Sequence, residues 1–163
     1  MSEDLSAVEP SAEWLRLDNQ ICFALHAASR AFNALYRDAL QPLGLTYPQY
    51  LVMLVLWEDG ELPVKRIGER LRLDSGTLSP LLKRLEAAGL VRRERSAADE
   101  RSVTVRLTSE GAALRAQALQ LPVRVTGATG LDLAEIVELR QRLEQLTRAV
   151  DASALDGPGV VCG

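Results

Sequence analysis

Four side chains hold the reactive chemistry of this sequence: Cys22, His26, Tyr36 and Tyr47. Cys22 is one of two cysteines in 163 residues, and His26 is the only histidine. A thiolate can attack the terminal oxygen of a peroxide and become a sulfenic acid. A tyrosine hydroxyl that donates to a thiolate favours the charged form. His26, one helical turn after Cys22, can stabilise the thiolate as imidazolium or simply pack. The pair at i, i+4 could also be two metal ligands, but no sufficient set of partners accompanies it, so neither a metal nor a cofactor is expected. The alternative for Cys22 itself is a small apolar side chain beside a buried helix face.

A second group of residues is basic. The chain carries a net charge of -3, yet the eleven basic and six acidic residues from Lys65 to Arg106 leave that segment at +5 and the remainder at -8. A basic centre in an acidic chain points to a local anionic partner. Ser75, Thr77, Ser79, Lys83 and Arg84 lie on one predicted helix. Hydroxyls and N-terminal amides there can meet phosphates or base edges, and Arg can fork onto guanine. Arg101 stands in a predicted hairpin tip, suited to a narrow minor groove. Asp99, two residues earlier, could hold that guanidinium in place. The plainer alternative is a solvated basic surface.

The elements that would position these groups follow from periodicity. Apolar residues at Leu17, Ile21, Ala24, Ala28, Phe32, Leu35 and Ala39 predict a helix from about Asp18, its N-cap, to Leu40. A second stripe, Cys22-His26-Ser29-Asn33-Tyr36, runs beside that face. Cys22 then lies near a positive helix end, which favours thiolate. Thr46 caps a helix to Trp57, and Pro63 opens another from Val64 to Leu71. Asp74-Ser75-Gly76-Thr77 starts a further helix that Gly89 stops, and Pro80 requires its start at residues 75–77. Leu90–Arg95 and Ser102–Leu107 read as strands, the second with Val103, Val105 and Leu107 alternating. A helix-turn-helix followed by a basic hairpin is a winged-helix pattern.

Thr108 caps a helix to about Leu121, which Pro122 interrupts. After Gly127-Ala128-Thr129-Gly130, a last helix from about Leu131 to Val150 carries Ile136, Leu139, Leu143, Leu146 and Val150, a near coiled-coil seam. The expected class is mainly α with a small β-hairpin wing. The expected organisation is a flexible N-terminus at 1–12, an N-terminal dimerisation helix at 13–46 and a winged helix-turn-helix at 47–107. C-terminal dimerisation helices at 108–150 and a flexible tail at 151–163 complete it. No secretory leader pattern and no apolar run long enough to span a membrane is present, so a cytoplasmic protein without structural disulfides and without a membrane partner is expected.

Asp99 and Arg101 followed by Leu107-Thr108 resemble the wing signature of the MarR family of winged-helix repressors. Asp18–Phe23, Thr46–Tyr50, Asp74–Leu78 and Asp99–Ser102 together resemble its OhrR subgroup, the organic hydroperoxide sensors, over about Leu17 to Leu121. The resemblance implies a homodimer, not an enzyme, that binds a pseudo-palindromic operator on double-stranded DNA and lets go when its N-terminal cysteine is oxidised. It puts the reactive cysteine at Cys22 and the thiolate-holding tyrosines at Tyr36 and Tyr47. DNA contacts fall on Ser75, Thr77, Ser79, Arg84, Arg93 and Arg101, with Lys83 beside them.

Many members of the subgroup carry a tyrosine where this chain has His26. Two-cysteine members place the resolving cysteine near the break before the last helix, where this chain has none. Cys162 either resolves Cys22, within the chain or across the dimer, or is incidental, in which case a low-molecular-weight thiol caps Cys22. Fourteen residues separate Cys22 from Tyr36, about 21 Å along a continuous helix. Tyr36 therefore cannot reach the thiol of its own straight helix, although it could reach that of an antiparallel second copy. The competing readings are a MarR-type regulator released by a small phenolic ligand, and a thiol peroxidase. The sequence lacks the strand-helix alternation of a thioredoxin-like enzyme.

Overall fold

A computed structural model describes residues 11–96, 98–99 and 101–156. Among these, seven α-helices and three strands follow one another: α1 (Ile21–Leu40), α2 (Tyr47–Asp59), β1 (Leu62–Pro63), α3 (Val64–Leu71), α4 (Ser75–Ala87), β2 (Val91–Arg95), β3 (Val103–Leu107), α5 (Ser109–Ala118), α6 (Gln120–Thr129) and α7 (Leu133–Asp156). The helical class with a β wing is as expected. The chain divides between Ala118 and Leu119 into two compact units.

The first unit holds the winged helix. Its core joins Ala39 and Leu40 at the end of α1 to Tyr50, Val52, Met53, Val55 and Leu56 of α2. Ile67 of α3, Leu78, Leu81, Leu82 and Leu85 of α4, Val91 of β2 and Val105 of β3 complete it. The strands form an antiparallel sheet in the order β1-β3-β2, with Val91 opposite Leu107 and Arg95 opposite Val103. β1 pairs Leu62 with Val105 and Pro63 with Thr104. Sequence reading missed it, because two residues show no alternation and only β3 makes them a strand.

α2 starts where Thr46 predicted, and the Thr46 backbone N–H donates to Gln49 Oε1 at 2.9 Å. Trp57 Nε1 donates to the Gly111 carbonyl at 2.9 Å and ties α2 to α5. A Cβ at Gly111 would lie 2.0 Å from the Leu90 carbonyl oxygen, so only glycine admits this approach.

The first helix starts later than expected. Asp18 is not its N-cap: Leu17–Asn19 is a 3-10 turn and Gln20 precedes α1 with extended backbone. The Gln20 side chain donates to the carbonyls of Trp14 at 2.5 Å and Arg16 at 3.1 Å, and Asn19 Nδ2 donates to Glu13 O at 2.7 Å. These amides fold the preceding chain back on itself and compete with helix there. Only the last two residues of α1 are buried, while Ile21, Phe23, Leu25 and Phe32 are exposed.

α4 starts at Ser75, within the 75–77 that Pro80 required, and Pro80 is its sixth residue. It leaves the Gly76 carbonyl without a helical donor, and both residues are exposed, so water can satisfy it. Pro122 does not interrupt a helix. The break comes at Leu119, and Pro122 sits in the first turn of α6, where its missing N–H would be unpaired anyway. α6 continues through Gly127 to Thr129 and ends at Gly130 with φ 70°.

In the second unit Asp132 and Glu135 cap α7 reciprocally, at 2.9 and 2.8 Å. α7 runs past Val150 to Asp156, and Leu133, Val137, Leu139, Leu143 and Val150 are exposed along it. No described helix is long and apolar enough to cross a membrane.

Candidate nucleic-acid interface and thiol site

α3 and α4 meet through a tight turn. A Cβ at Gly68 would sit 2.8 Å from the Leu73 carbonyl oxygen, and the Leu73 N–H donates to Gly68 O at 2.9 Å. Asp74 caps α4: the Thr77 N–H donates to its Oδ1 at 2.8 Å and the Thr77 hydroxyl to its Oδ2 at 3.0 Å. Those two bonds, the backbone one first, hold the Asp74 carboxyl below its ordinary pKa. Leu78, Leu81, Leu82 and Leu85 bury one face of α4. Ser75, Thr77, Ser79, Lys83 and Arg84 are all exposed on the rest of it. The Thr77 hydroxyl has already spent its proton on Asp74, so it meets a partner as an acceptor.

Nine of the basic residues of the centre fall into two sets. Arg66 pairs with Glu69 at 2.8 Å, Arg106 with Glu94 at 2.6 Å, and Arg70 with Glu58 at 2.9 Å and with Asp59. Lys65, Lys83, Arg84, Arg95 and Arg101 make no ion pair among the described residues. Arg93 belongs to the paired set. Its backbone N–H and its Nε reach the two carboxylate oxygens of Glu86 at 3.0 and 2.9 Å, and a second guanidinium nitrogen lies at 2.7 Å. That fork joins the wing to the end of α4 and lowers the Glu86 pKa.

At the wing tip the Asp99 carboxylate accepts the backbone N–H of Arg101 at 3.0 Å, and Asp99 O accepts from Ser102 N at 2.9 Å. Asp99 therefore shapes the turn rather than gripping the Arg101 guanidinium. A backbone N–H two residues on is the natural partner of an Asp in a turn. Arg101 is exposed.

The thiol lies elsewhere. Cys22 is exposed and occupies the second residue of α1, closer to the helix start than the sequence suggested. His26, Ser29 and Asn33 are exposed along the same helix. Tyr36 and Tyr47 come together, with ring centroids 4.5 Å apart, and Tyr50 lies 5.9 Å from Tyr36. Tyr50 also packs edge-on against Trp57 at 6.3 Å. Burial, with the neighbouring tyrosines adding to it, pushes the Tyr36 pKa up to about 12, and burial also raises Tyr47 and Tyr50. The three phenols stay protonated and can donate.

α1 is continuous from Cys22 to Tyr36, so the chain brings the tyrosines to one another and leaves the thiol about 21 Å away. Tyr50 was missed in the sequence, although its place one turn after Tyr47 puts both on one helical face. Glu86 was missed as well, since nothing local links it to Arg93. Cys162 lies outside the described residues. Among those residues no three His, Cys, Asp or Glu side chains are grouped to hold a metal ion.

Comparison with known proteins places this geometry. The family described as transcriptional regulator SarA/Rot matches residues 34–117. The chain is 52% identical over 138 residues to the HTH-type transcriptional regulator TtmR of Methylorubrum extorquens, covering 85% of this chain and 71% of the relative. It is 44% identical over 139 residues to the organic hydroperoxide resistance transcriptional regulator of Bacillus subtilis, covering 85% and 95%. Among solved structures it is similar to reduced AbfR, a Staphylococcus epidermidis protein, bound to DNA. The TM-score is 0.75 at 36% identity, over 86% of this chain and 96% of the other.

Proposed function

The chain belongs to the SarA/Rot family of transcriptional regulators, MarR-like winged-helix proteins, and we propose that it is a cytoplasmic homodimeric repressor that Cys22 makes responsive to organic hydroperoxides. The observation that carries this reading is the placement of Cys22: exposed, at the start of a helix in which only Ala39 and Leu40 are fully buried. A helix that displays Ile21, Phe23, Leu25 and Phe32 to water needs a second helix to cover it. A second copy running antiparallel supplies one, and sets Tyr36 of each chain beside Cys22 of the other. Relatives described as an organic hydroperoxide resistance regulator and as a reduced, DNA-bound regulator support both halves of the reading.

The Cys22 thiolate attacks the terminal oxygen of R–O–O–H, the O–O bond breaks, and Cys22 becomes a sulfenic acid as an alkoxide leaves. A second thiol, from a small cellular molecule or Cys162, then displaces water and forms a disulfide. The added group lies within the surface between the two copies. It alters their packing and with it the spacing of the two α4 helices, which must match half-sites about 34 Å apart. On the DNA, α4 enters the major groove with Ser75, Thr77, Ser79, Lys83 and Arg84, and the wing offers Arg101 to the minor groove. Arg93 supports the wing through Glu86.

The test is a mobility-shift assay with a duplex selected from a random-sequence pool by the reduced protein. Cumene hydroperoxide releases the wild type and leaves Cys22→Ser bound. Equal release of both proteins, or release by a phenolic ligand with the thiol intact, would overturn the reading. Peroxide turnover well above one equivalent per Cys22 would favour an enzyme instead.

A further inference from the structure

His26 is the second reactive group on the exposed face of α1. It follows Cys22 by four residues on an uninterrupted helix, which places the two side chains side by side. Helical side chains lean toward the helix N-terminus, so the imidazole lies over the turn that carries Cys22. Both residues are exposed. His26 makes no hydrogen bond or ion pair among the described residues, so its ring nitrogens are free for a substrate. From Ile21 to Tyr36 the helix has no Asp or Glu, and Arg30 follows His26 by one turn. An anion formed at Cys22 therefore meets no repulsion from its own helix.

The reaction of a thiol with an alkyl hydroperoxide has two proton problems. The thiol must lose a proton before it attacks, and the departing alkoxide, a strong base, must gain one. We propose that His26 solves both, as the catalytic acid-base partner of Cys22. It takes the thiol proton as Cys22 becomes thiolate. It returns the same proton to the alkoxide oxygen as the O–O bond breaks. The sum is Cys–SH plus ROOH giving Cys–SOH plus ROH, with no proton supplied from outside and His26 regenerated. This inference rests on the peroxide-sensing role of Cys22.

The test compares oxidants by leaving group. tert-Butyl hydroperoxide expels an alkoxide and needs the acid, whereas peracetic acid expels acetate and does not. Rates of Cys22 sulfenic acid formation are followed by dimedone trapping and mass spectrometry in the wild type and His26→Gln. Both are full-length and both are checked for DNA binding. Loss of a general acid costs on the order of 10²-fold. His26→Gln should slow both oxidants through loss of the base, and should slow tert-butyl hydroperoxide by about a further 10²-fold, because only that oxidant also loses the acid. His26→Tyr, which restores a proton donor, should recover part of the loss. Equal slowing with both oxidants would overturn the assignment, because a residue that merely positions or charges the thiol affects both. An unchanged rate with both would overturn it too. Wild-type Cys22 that is inert to either oxidant would sink the sensing role itself, a separate result.

Discussion

From Tyr47 to Ala118 one chain completes its own structure: the leucines of α4 are buried, α2 packs on α5 through Trp57, and Arg93 is matched by Glu86. From Ile21 to Asp38 the same chain completes little beyond the packing of Tyr36 on Tyr47 and Tyr50. That stretch is a well-formed helix with exposed phenylalanines, an exposed thiol and a tyrosine too distant to serve it. The first region is built to read DNA as it stands. In the proposed dimer, the second becomes a site only when another chain covers it. In that proposal the reader stays rigid while the sensing thiol lies on a surface whose packing can change.

The largest expected effects separate the two regions by the kind of damage. Leu85 is fully buried in the first region, and Leu85→Ala should cost about 2–5 kcal/mol in chemical denaturation. Phe32 is 40% exposed in the second. Phe32→Asp should leave the helical circular dichroism intact and shift the sedimentation profile from dimer to monomer. A Phe32→Asp protein that stays dimeric would break the contrast.

A smaller effect sharpens it. Tyr36, Tyr47 and Tyr50 are all the tyrosines of the chain, and all are raised from an ordinary value of 10.0. Below about pH 10 they are neutral in both the folded and unfolded states, so their contribution to stability is complete. Between about 10 and 12 the unfolded chain ionises first, and stability falls as pH rises. Phenolate absorbance of the native protein should therefore lag that of the denatured protein, with Tyr36 last at about 12. Coincident titrations would mean that the tyrosine cluster is open.

Much of the reading part was legible in the sequence. Caps, glycines and period changes are local signals, and Asp74, Gly89 and the alternating Val103, Val105 and Leu107 placed α4 and the wing to within a residue or two. What escaped depends on partners far along the chain. β1 is a strand only because β3 is beside it, Arg93 is a strut only because Glu86 is seven residues away on α4, and Asp99 chose a backbone N–H over a guanidinium. Asp18 was the better cap by type, yet the Gln20 and Asn19 side chains turned the chain back before the helix began. For the thiol, the sequence supplied residue types and a helical distance. The distance alone separated Cys22 from Tyr36, and α1 keeps them apart.

The central claim is that each sensing site takes Cys22 from one chain and Tyr36 from the other. Mixing differently tagged Cys22→Ser and Tyr36→Phe chains yields a heterodimer with a single Cys22, carried by the Tyr36→Phe chain. If the site is shared, that cysteine faces an intact Tyr36, and its oxidation rate with cumene hydroperoxide returns to the wild-type value. A rate equal to that of the Tyr36→Phe homodimer, with that homodimer itself slower than wild type, would contradict the account.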